Sequence, residues 1–534
     1  MIRVAALAAL VLAAPAAAAP PDVIRSGGPS RPGQAKVAVV ATAHNLVGKR
    51  FRVLDESGQA VLTGRLTRAA GAASPWKRAA VADLTPVKAP GAYRVVVGRL
   101  RSRAWIVADY AGGDTIAIML QFFAANADGN ESSPVHGPSH LNDADVASGP
   151  YAGQHFDLTG GWMDAGDQVK FTQTTGFAAM ALQAAARFDP AQADALNAAA
   201  DVGIRWLVKA HPRPDLFIAQ VGDQRDHDLG FRDPAKDDAM ADEGIGKRVA
   251  YPDASADLTG KAAAALAMAA QRASGPVRDQ LVQQAREWYA AGVASAKPAA
   301  LAGDFYTSSS YVDDLAVGAT ELYRATGEQH FLDEARGYLQ QASLDAGFTW
   351  DEIAAFAVAD LCGVLGAPPL DEQLCARLAD AGSGPIARSR RDAFGIPADF
   401  GWGVTASSAA GALSALLGER AGVLAGGARV AAGARDYLLG RNPWGASFVV
   451  GYGPRSPRHP HHWASVFGPA KPVGAVVGGP APPRAVKEQK LELRRNVFDS
   501  TRAVYTDDVD NYVTSEPAID YTAGSVLLLA ALGQ

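Results

Sequence analysis

A small all-β sandwich followed by a large all-α domain is the architecture that this sequence of 534 residues predicts. Three observations carry that reading. Residues 22 to 108 hold short apolar, β-branched runs divided by turn signals. From Ile116 onward, long Ala-rich segments with helical spacing take over. No Pro/Ser/Thr-rich spacer separates the two textures, so the small domain should pack on its neighbour. At 48% hydrophobic residues, the chain can fill one large core and a small companion.

In chain order, the first element is Arg3, an Ala/Leu/Val run and Ala14-Pro15-Ala16-Ala17-Ala18-Ala19-Pro20. This reads as a secretory signal, residues 1–19, cleaved near Ala19 and too short to span a membrane. The mature protein is therefore expected to be secreted or periplasmic. Strand-like runs follow at Lys36–Val40, Phe51–Leu54, Tyr93–Val97 and Ala104–Val107, with turns at Ser57-Gly58 and Pro90-Gly91 between them. That spacing predicts a sandwich. Helices are expected over Gly176–Phe188, Leu258–Arg272, Val277–Ala296, Leu315–Ala325, Glu352–Leu365, Ser407–Leu417 and Ala518–Leu532. The loops between them hold nearly every polar motif, and loops on a rigid scaffold are where function concentrates.

A net charge of −5 without a basic tract argues against nucleic acid as a partner. A later membrane-spanning stretch is not found, so no membrane partner is expected either. Two cysteines, Cys362 and Cys375, exclude a disulfide framework and a Cys-rich zinc site. One bridge between them, or two buried apolar thiols, are both compatible with the sequence.

Two stretches carry chemistry. Gly160-Gly161-Trp162-Met163-Asp164-Ala165-Gly166-Asp167 places two carboxylates three residues apart in a Gly-punctuated turn, from which both can point into one cavity. Near the other end, Glu516 and Asp520 lie in Asn511-Tyr512-Val513-Thr514-Ser515-Glu516-Pro517-Ala518-Ile519-Asp520-Tyr521. Acids facing each other across a scissile bond are what glycoside hydrolysis requires: one takes a proton from water and the other protonates the departing oxygen.

Read together, these stretches resemble glycoside hydrolase family 9, which includes many bacterial cellulases. The likeness continues through Gln220-Val221-Gly222-Asp223, Phe305-Tyr306, Thr349-Trp350-Asp351, Gly401-Trp402-Gly403 and Leu439-Gly440-Arg441-Asn442-Pro443 to Pro460-His461-His462. It implies an immunoglobulin-like sandwich over residues 22–108 and an (α/α)6-barrel catalytic domain over 112–534. It also implies that Asp167 is the general base, that Asp164 helps hold the water, and that Glu516 is the general acid. Room for that water implies inversion, with the acid and base carboxyls roughly 6.5 to 9.5 Å apart and no organic cofactor.

Sugars present apolar C–H faces, and the resemblance makes Tyr306, Trp350, Trp402 and Tyr521 the candidate platforms, with His227 beside them. His461 and His462 should bind hydroxyls, and Trp463 stands where the family has Arg, offering a stacking face instead of a fork of donors. Ser309 and Ser407 fall where the family often has Trp and Tyr, which suggests a shorter groove. Ser310, Asp313 and Asp314 resemble a segment that holds structural Ca²⁺ in some members, and hard oxygen ligands suit that ion.

The expected activity is a secreted, inverting β-1,4-glucanase. The alternatives are an exo-acting β-glucosidase or exo-β-glucosaminidase on short oligosaccharides, and a non-catalytic sugar-binding protein, which Asp167→Ala tested for hydrolysis against binding would separate.

Overall fold

The computed structural model describes residues 19–109, 113–243, 248–299, 301, 305–345, 347–468 and 471–533. The expected leader, apart from Ala19, and the expected domain start at residue 112 lie outside them.

The N-terminal domain consists of β1 (Val23–Arg25), β2 (Val37–Thr42), β3 (Arg50–Leu54), β4 (Ala60–Arg65), β5 (Thr67–Arg68), β6 (Arg78–Asp83), β7 (Gly91–Val97), β8 (Leu100–Arg101) and β9 (Trp105–Val107). One sheet runs β1-β2-β6-β5; the other runs β4-β3-β7-β8, with β9 paired to β7. Alternation does the folding: in β3, Phe51 and Val53 point inward while Arg50 and Arg52 are exposed. Ala38, Val40, Phe51, Val53, Val95 and Trp105 close the core between the sheets.

The second domain begins with α1 (Gly113–Ala125), β10 (Asp145–Val146), β11 (Lys170–Phe171), α2 (Thr172–Phe188), α3 (Ala193–Lys209), β12 (Ile218–Val221), α4 (Gln224–Asp228) and β13 (Val249–Pro252). It continues with α5 (Ala256–Arg272), α6 (Gly275–Ser295), α7 (Val312–Thr326), α8 (Gln329–Leu339), α9 (Ala354–Cys362), α10 (Leu378–Ser389), α11 (Val404–Arg420) and α12 (Gly427–Leu438). The last helices are α13 (Pro483–Glu488), α14 (Tyr512–Ser515) and α15 (Ile519–Leu532).

Successive helices pack as hairpins, α2 on α3, α5 on α6, α7 on α8 and α11 on α12. Their inner members contact in turn, α2 to α5 to α7 to α9, then through α10 to α11, then α15, which returns to α2 and closes the ring. In α5 every residue from Ala256 to Ala270 is buried, as an inner helix surrounded on all sides requires. Small side chains let the helices approach closely: a Cβ at Gly260 of α5 would lie 2.5 Å from the backbone of Asp314 in α7.

As the missing spacer predicts, the sandwich is docked rather than tethered. Ala72 bridges to the backbone on either side of Asp392, donating from N to Arg391 O (2.9 Å) and accepting at O from Ala393 N (2.8 Å). Arg435 of α12 donates to Gln34 Oε1 (2.6 Å) and Ser30 Oγ (2.9 Å). Cys362 and Cys375 form a disulfide at the end of α9.

Candidate active site

The two acidic stretches meet at one end of the helical ring. Gly160 and Gly161 take φ of 88° and 80°, and a Cβ on Gly161 would lie 2.6 Å from Trp206, so this turn is restricted to glycine twice over. The turn delivers Asp164, 2% exposed, whose backbone carbonyl accepts from Ile519 N (3.0 Å) at the start of α15. Its Oδ1 accepts from Thr174 Oγ1 (2.5 Å) and its Oδ2 from Tyr306 OH, which fixes the carboxyl and leaves each oxygen a second lone pair. Burial, reinforced by the charges of Asp167 and Asp520, holds Asp164 well above the usual carboxylic range.

Asp167 is more open, with 16% of its side chain exposed. Oδ1 accepts from Val169 N (3.2 Å), and Oδ2 lies 3.8 Å from His227 Nε2. Burial raises its pKa to about 6, with His227 and the Val169 amide pulling the other way. Glu516 occupies the break between α14 and α15, where Pro517 follows and Asn511 caps α14 by accepting from Thr514 N (3.2 Å). Its own carbonyl is pinned by Gly478 N (2.9 Å). Burial, then Asp167 and Asp164, push Glu516 well above an ordinary glutamic acid.

These three acids line a cleft of about 840 Å³. Of the candidates from sequence, His227, Tyr306, Trp350, Trp402, His461 and Tyr521 line it with them. Trp402 is 45% exposed, and its ring lies 5.5 Å from that of Tyr512. Tyr306 and Trp350 meet edge to face at 4.9 Å. His461 is held by Nδ1 against Val509 O (2.5 Å) and by its ring against Phe231 and Tyr512.

Sequence reasoning missed Phe231, Arg232, Gln489 and Tyr512, which also line the cleft. Arg232 stands in a run of charges with no local pattern, so nothing in the sequence pointed to it. Asp520 appeared in the motif without a role. It is 3% exposed, lies at a smaller cavity of about 100 Å³ beside the cleft between Trp350, Trp402, Ser407 and Tyr521, and its Oδ1 has no partner among the described residues.

Three expectations are corrected. His462 is fully buried: Nε2 meets Asn126 Oδ1 (2.8 Å) and Nδ1 accepts from Ala464 N (3.0 Å), so it braces the loop and cannot reach a sugar hydroxyl. Trp463, 1% exposed, packs among Ala125, Val135 and Met163 instead of offering a stacking face, because apolar burial outweighs a solvent position for so large a ring. The Ser310, Asp313 and Asp314 segment is not arranged for calcium. Lys261 Nζ already pairs with Asp314 Oδ1, and Asp313 Oδ2 accepts from Ile353 N (2.8 Å), so the charge of Asp314 is balanced by an ammonium and Asp313 is held by the backbone of Ile353.

Beneath the Asp167 turn, Asp128, His140 and Asp143 lie close enough together to share a metal ion. Lys170 Nζ stands between the carboxylates, 2.8 Å from Asp128 and 2.6 Å from Asp143, and Arg248 Nε is 3.2 Å from Asp143. Burial and Arg248 oppose protonation of His140, but Asp128 and Asp237 prevail and raise it to about 9. The carboxylates of the cluster are thus already balanced by Lys170 and Arg248. Arg248 Nη2 also donates to Gln168 O (2.7 Å), which ties this charge network to the Asp167 turn.

The family model "Glycosyl hydrolase family 9" matches residues 113–529, and "Cellulase N-terminal ig-like domain" matches residues 31–102. Endoglucanase 14 of Arabidopsis thaliana is 30% identical over 486 residues, covering 79% of this chain and 93% of its own. A single-mutant thermostable endoglucanase from Alicyclobacillus acidocaldarius superposes with a TM-score of 0.81 at 26% identity, covering 96% of this chain and 100% of that one. AaCel9A in complex with cellobiose-like isofagomine gives the same TM-score, 0.81, at 26% identity over 96% of this chain and 99% of that one.

Proposed function

The chain belongs to glycosyl hydrolase family 9, and from that premise we propose that it hydrolyses β-1,4-linked glucan with inversion, using Asp167 as base and Glu516 as acid. It is a glycoside hydrolase. The observation that carries the assignment of roles is the division of labour among buried carboxyls: Asp167 sits at about 6, while Glu516, facing the Asp167 and Asp164 charges, sits well above its ordinary value. Neighbouring negative charge favours the protonated form of Glu516, as an acid needs, while His227 and the Val169 amide favour the ionised form of Asp167, as a base needs.

In the reaction, the Asp167 carboxylate takes a proton from water as that water attacks the anomeric carbon. Glu516 gives its proton to the glycosidic oxygen as the C–O bond breaks, so both carboxyls end in the reverse protonation state and exchange with solvent. Asp164, fixed by Thr174 and Tyr306, has a lone pair on each oxygen to orient the water. Trp402, Trp350, Tyr306 and Tyr521 supply apolar walls for sugar C–H faces, and His227 and His461 offer ring nitrogens to hydroxyls. The named relatives are endoglucanases, which supports a β-glucan substrate. The leader-like residues 1–19 and the Cys362–Cys375 disulfide support export to an oxidising compartment.

The test is Asp167→Asn and Glu516→Gln on soluble cello-oligosaccharides, each expected to lower turnover by at least about 10²-fold with folding kept. Proton NMR of the wild-type reaction should show the α-anomer first. Near-normal turnover in either variant would remove that residue from its role, and an initial β-anomer would exclude inversion.

A further inference from the structure

Where the sandwich meets the barrel, three consecutive carbonyls of one turn each hold a different arginine. Pro443 O accepts from Arg25 Nη2 (2.8 Å), Trp444 O from Arg455 Nη1 (3.3 Å) and Gly445 O from Arg103 Nη1 (3.3 Å). The turn is shaped around this gathering. Gly445 has φ of 59°, and a Cβ there would lie 2.4 Å from Arg25 Nη1. Arg25 lies over the Phe498 ring at 5.0 Å, and its buried Nε has no hydrogen-bond partner among the described residues.

Like charges have thus been brought together, and among the described residues no acid lines their cavity. Asp436, which lies against Gly27 of the same cavity, is spent on Arg435 through Oδ1 (2.7 Å) and on Arg441 through Oδ2 (3.1 Å). Burial, then Arg455 and Arg103, lower Arg25 to about 10, which marks an uncompensated positive field. The arginines open onto a cavity of about 450 Å³ that Arg94 also lines. Carbonyl dipoles hold the guanidinium groups in place but neutralise little of their charge, and a planar fork of N–H donors matches a carboxylate or phosphate.

We propose that this interdomain cavity binds an oxyanion, the carboxylate of an acidic sugar unit or free phosphate, between Arg25, Arg103 and Arg455. The site is separate from the Asp167 and Glu516 cleft and shares none of its lining residues.

Isothermal titration of the whole protein with D-glucuronate and with inorganic phosphate, each against sodium chloride at matched ionic strength, tests it. Saturable binding of at least one oxyanion is expected, weakened at least about tenfold in Arg103→Gln/Arg455→Gln because two charge-assisted contacts are removed. Tighter glucuronate points to a carbohydrate source and tighter phosphate to a free ion. Unchanged turnover of neutral cello-oligosaccharides certifies the variant's fold, and Arg455→Gln alone replaces it should the double variant misfold. No saturable heat with either oxyanion, an equal effect of chloride, or full binding in the folded variant would overturn the proposal.

Discussion

Replacing Asp520 with Asn should make the protein more stable, and only where the pH is high enough to ionise the native residue. Burial raises Asp520 from its ordinary 3.8 to about 7, against the pull of the Tyr521 and Asp520 backbone amides. A carboxyl that binds its proton more tightly when folded keeps its contribution to stability below about pH 3.8 and loses it as pH rises through about 7. At about 1.36 kcal/mol per pH unit, the loss across that window has a ceiling of about 4 kcal/mol. Asn cannot ionise, and its amide, placed at the unpartnered Oδ1, faces a cavity that can hold water. Urea unfolding at pH 4, 6 and 8 should therefore show the two proteins alike at pH 4, with Asp520→Asn pulling ahead towards pH 8. Since the Asp520 charge also helps raise Glu516 and Asp164, the alkaline limb of the pH–rate profile should move down in the variant. Parallel stability curves for the two proteins from pH 4 to 8 would refute the idea that Asp520 is a buried, strained acid.

Other outcomes follow from the same geometry. The acid limb of turnover should lie near pH 6, where Asp167 protonates, and His227→Ala should shift it upward, because His227 holds Asp167 down; a limb that stays put would mean another group sets it. Trp463→Arg should cost several kcal/mol in urea unfolding, since it buries a charge among Ala125, Val135 and Met163, and should not extend substrate range; a stable variant with gained activity on longer glucans would place residue 463 in the cleft. Lys261→Met should cost about 3 to 5 kcal/mol by orphaning Asp314, whereas EDTA should leave the wild-type urea midpoint unchanged. A chelator-induced drop would show a bound cation, at that segment or at Asp128, His140 and Asp143.

What the sequence made legible was whatever local chemistry enforces. The Gly160-Gly161 turn and its two acids could be read directly, because positive φ and Asp turn preference act within a few residues. Glu516 was found through its motif, but its setting between two helices was not, because a helix of four residues, begun by the Asn511 cap and stopped at Glu516 before Pro517, is too short to show a periodic pattern. Predicted helices began late: α2 starts at Thr172 rather than Gly176 and α11 at Val404 rather than Ser407, since Thr172 to Thr175 are polar yet buried by neighbouring helices. Strand β6 escaped notice because its Ala-rich run, Arg78–Asp83, has weak strand preference and is held by pairing with β2. Burial was the least legible property. Trp463 and His462 stand beside the cleft residue His461 in sequence, and only packing decides that their rings turn inward while that of His461 lines the cleft.

The acids that define the active site come from opposite ends of the helical ring's sequence, and the joint between them is made by backbone. Ile519 N holds Asp164 O (3.0 Å), His461 N holds Ser515 O (3.0 Å) and Trp463 N holds Gly166 O (3.1 Å). The first of these bonds needs the start of the last helix, α15, and the second needs Ser515, so neither can form until the chain is nearly complete. The working cleft is therefore a late product of assembly: a nascent or C-terminally clipped chain can hold most of its helices and still have no acid opposite its base.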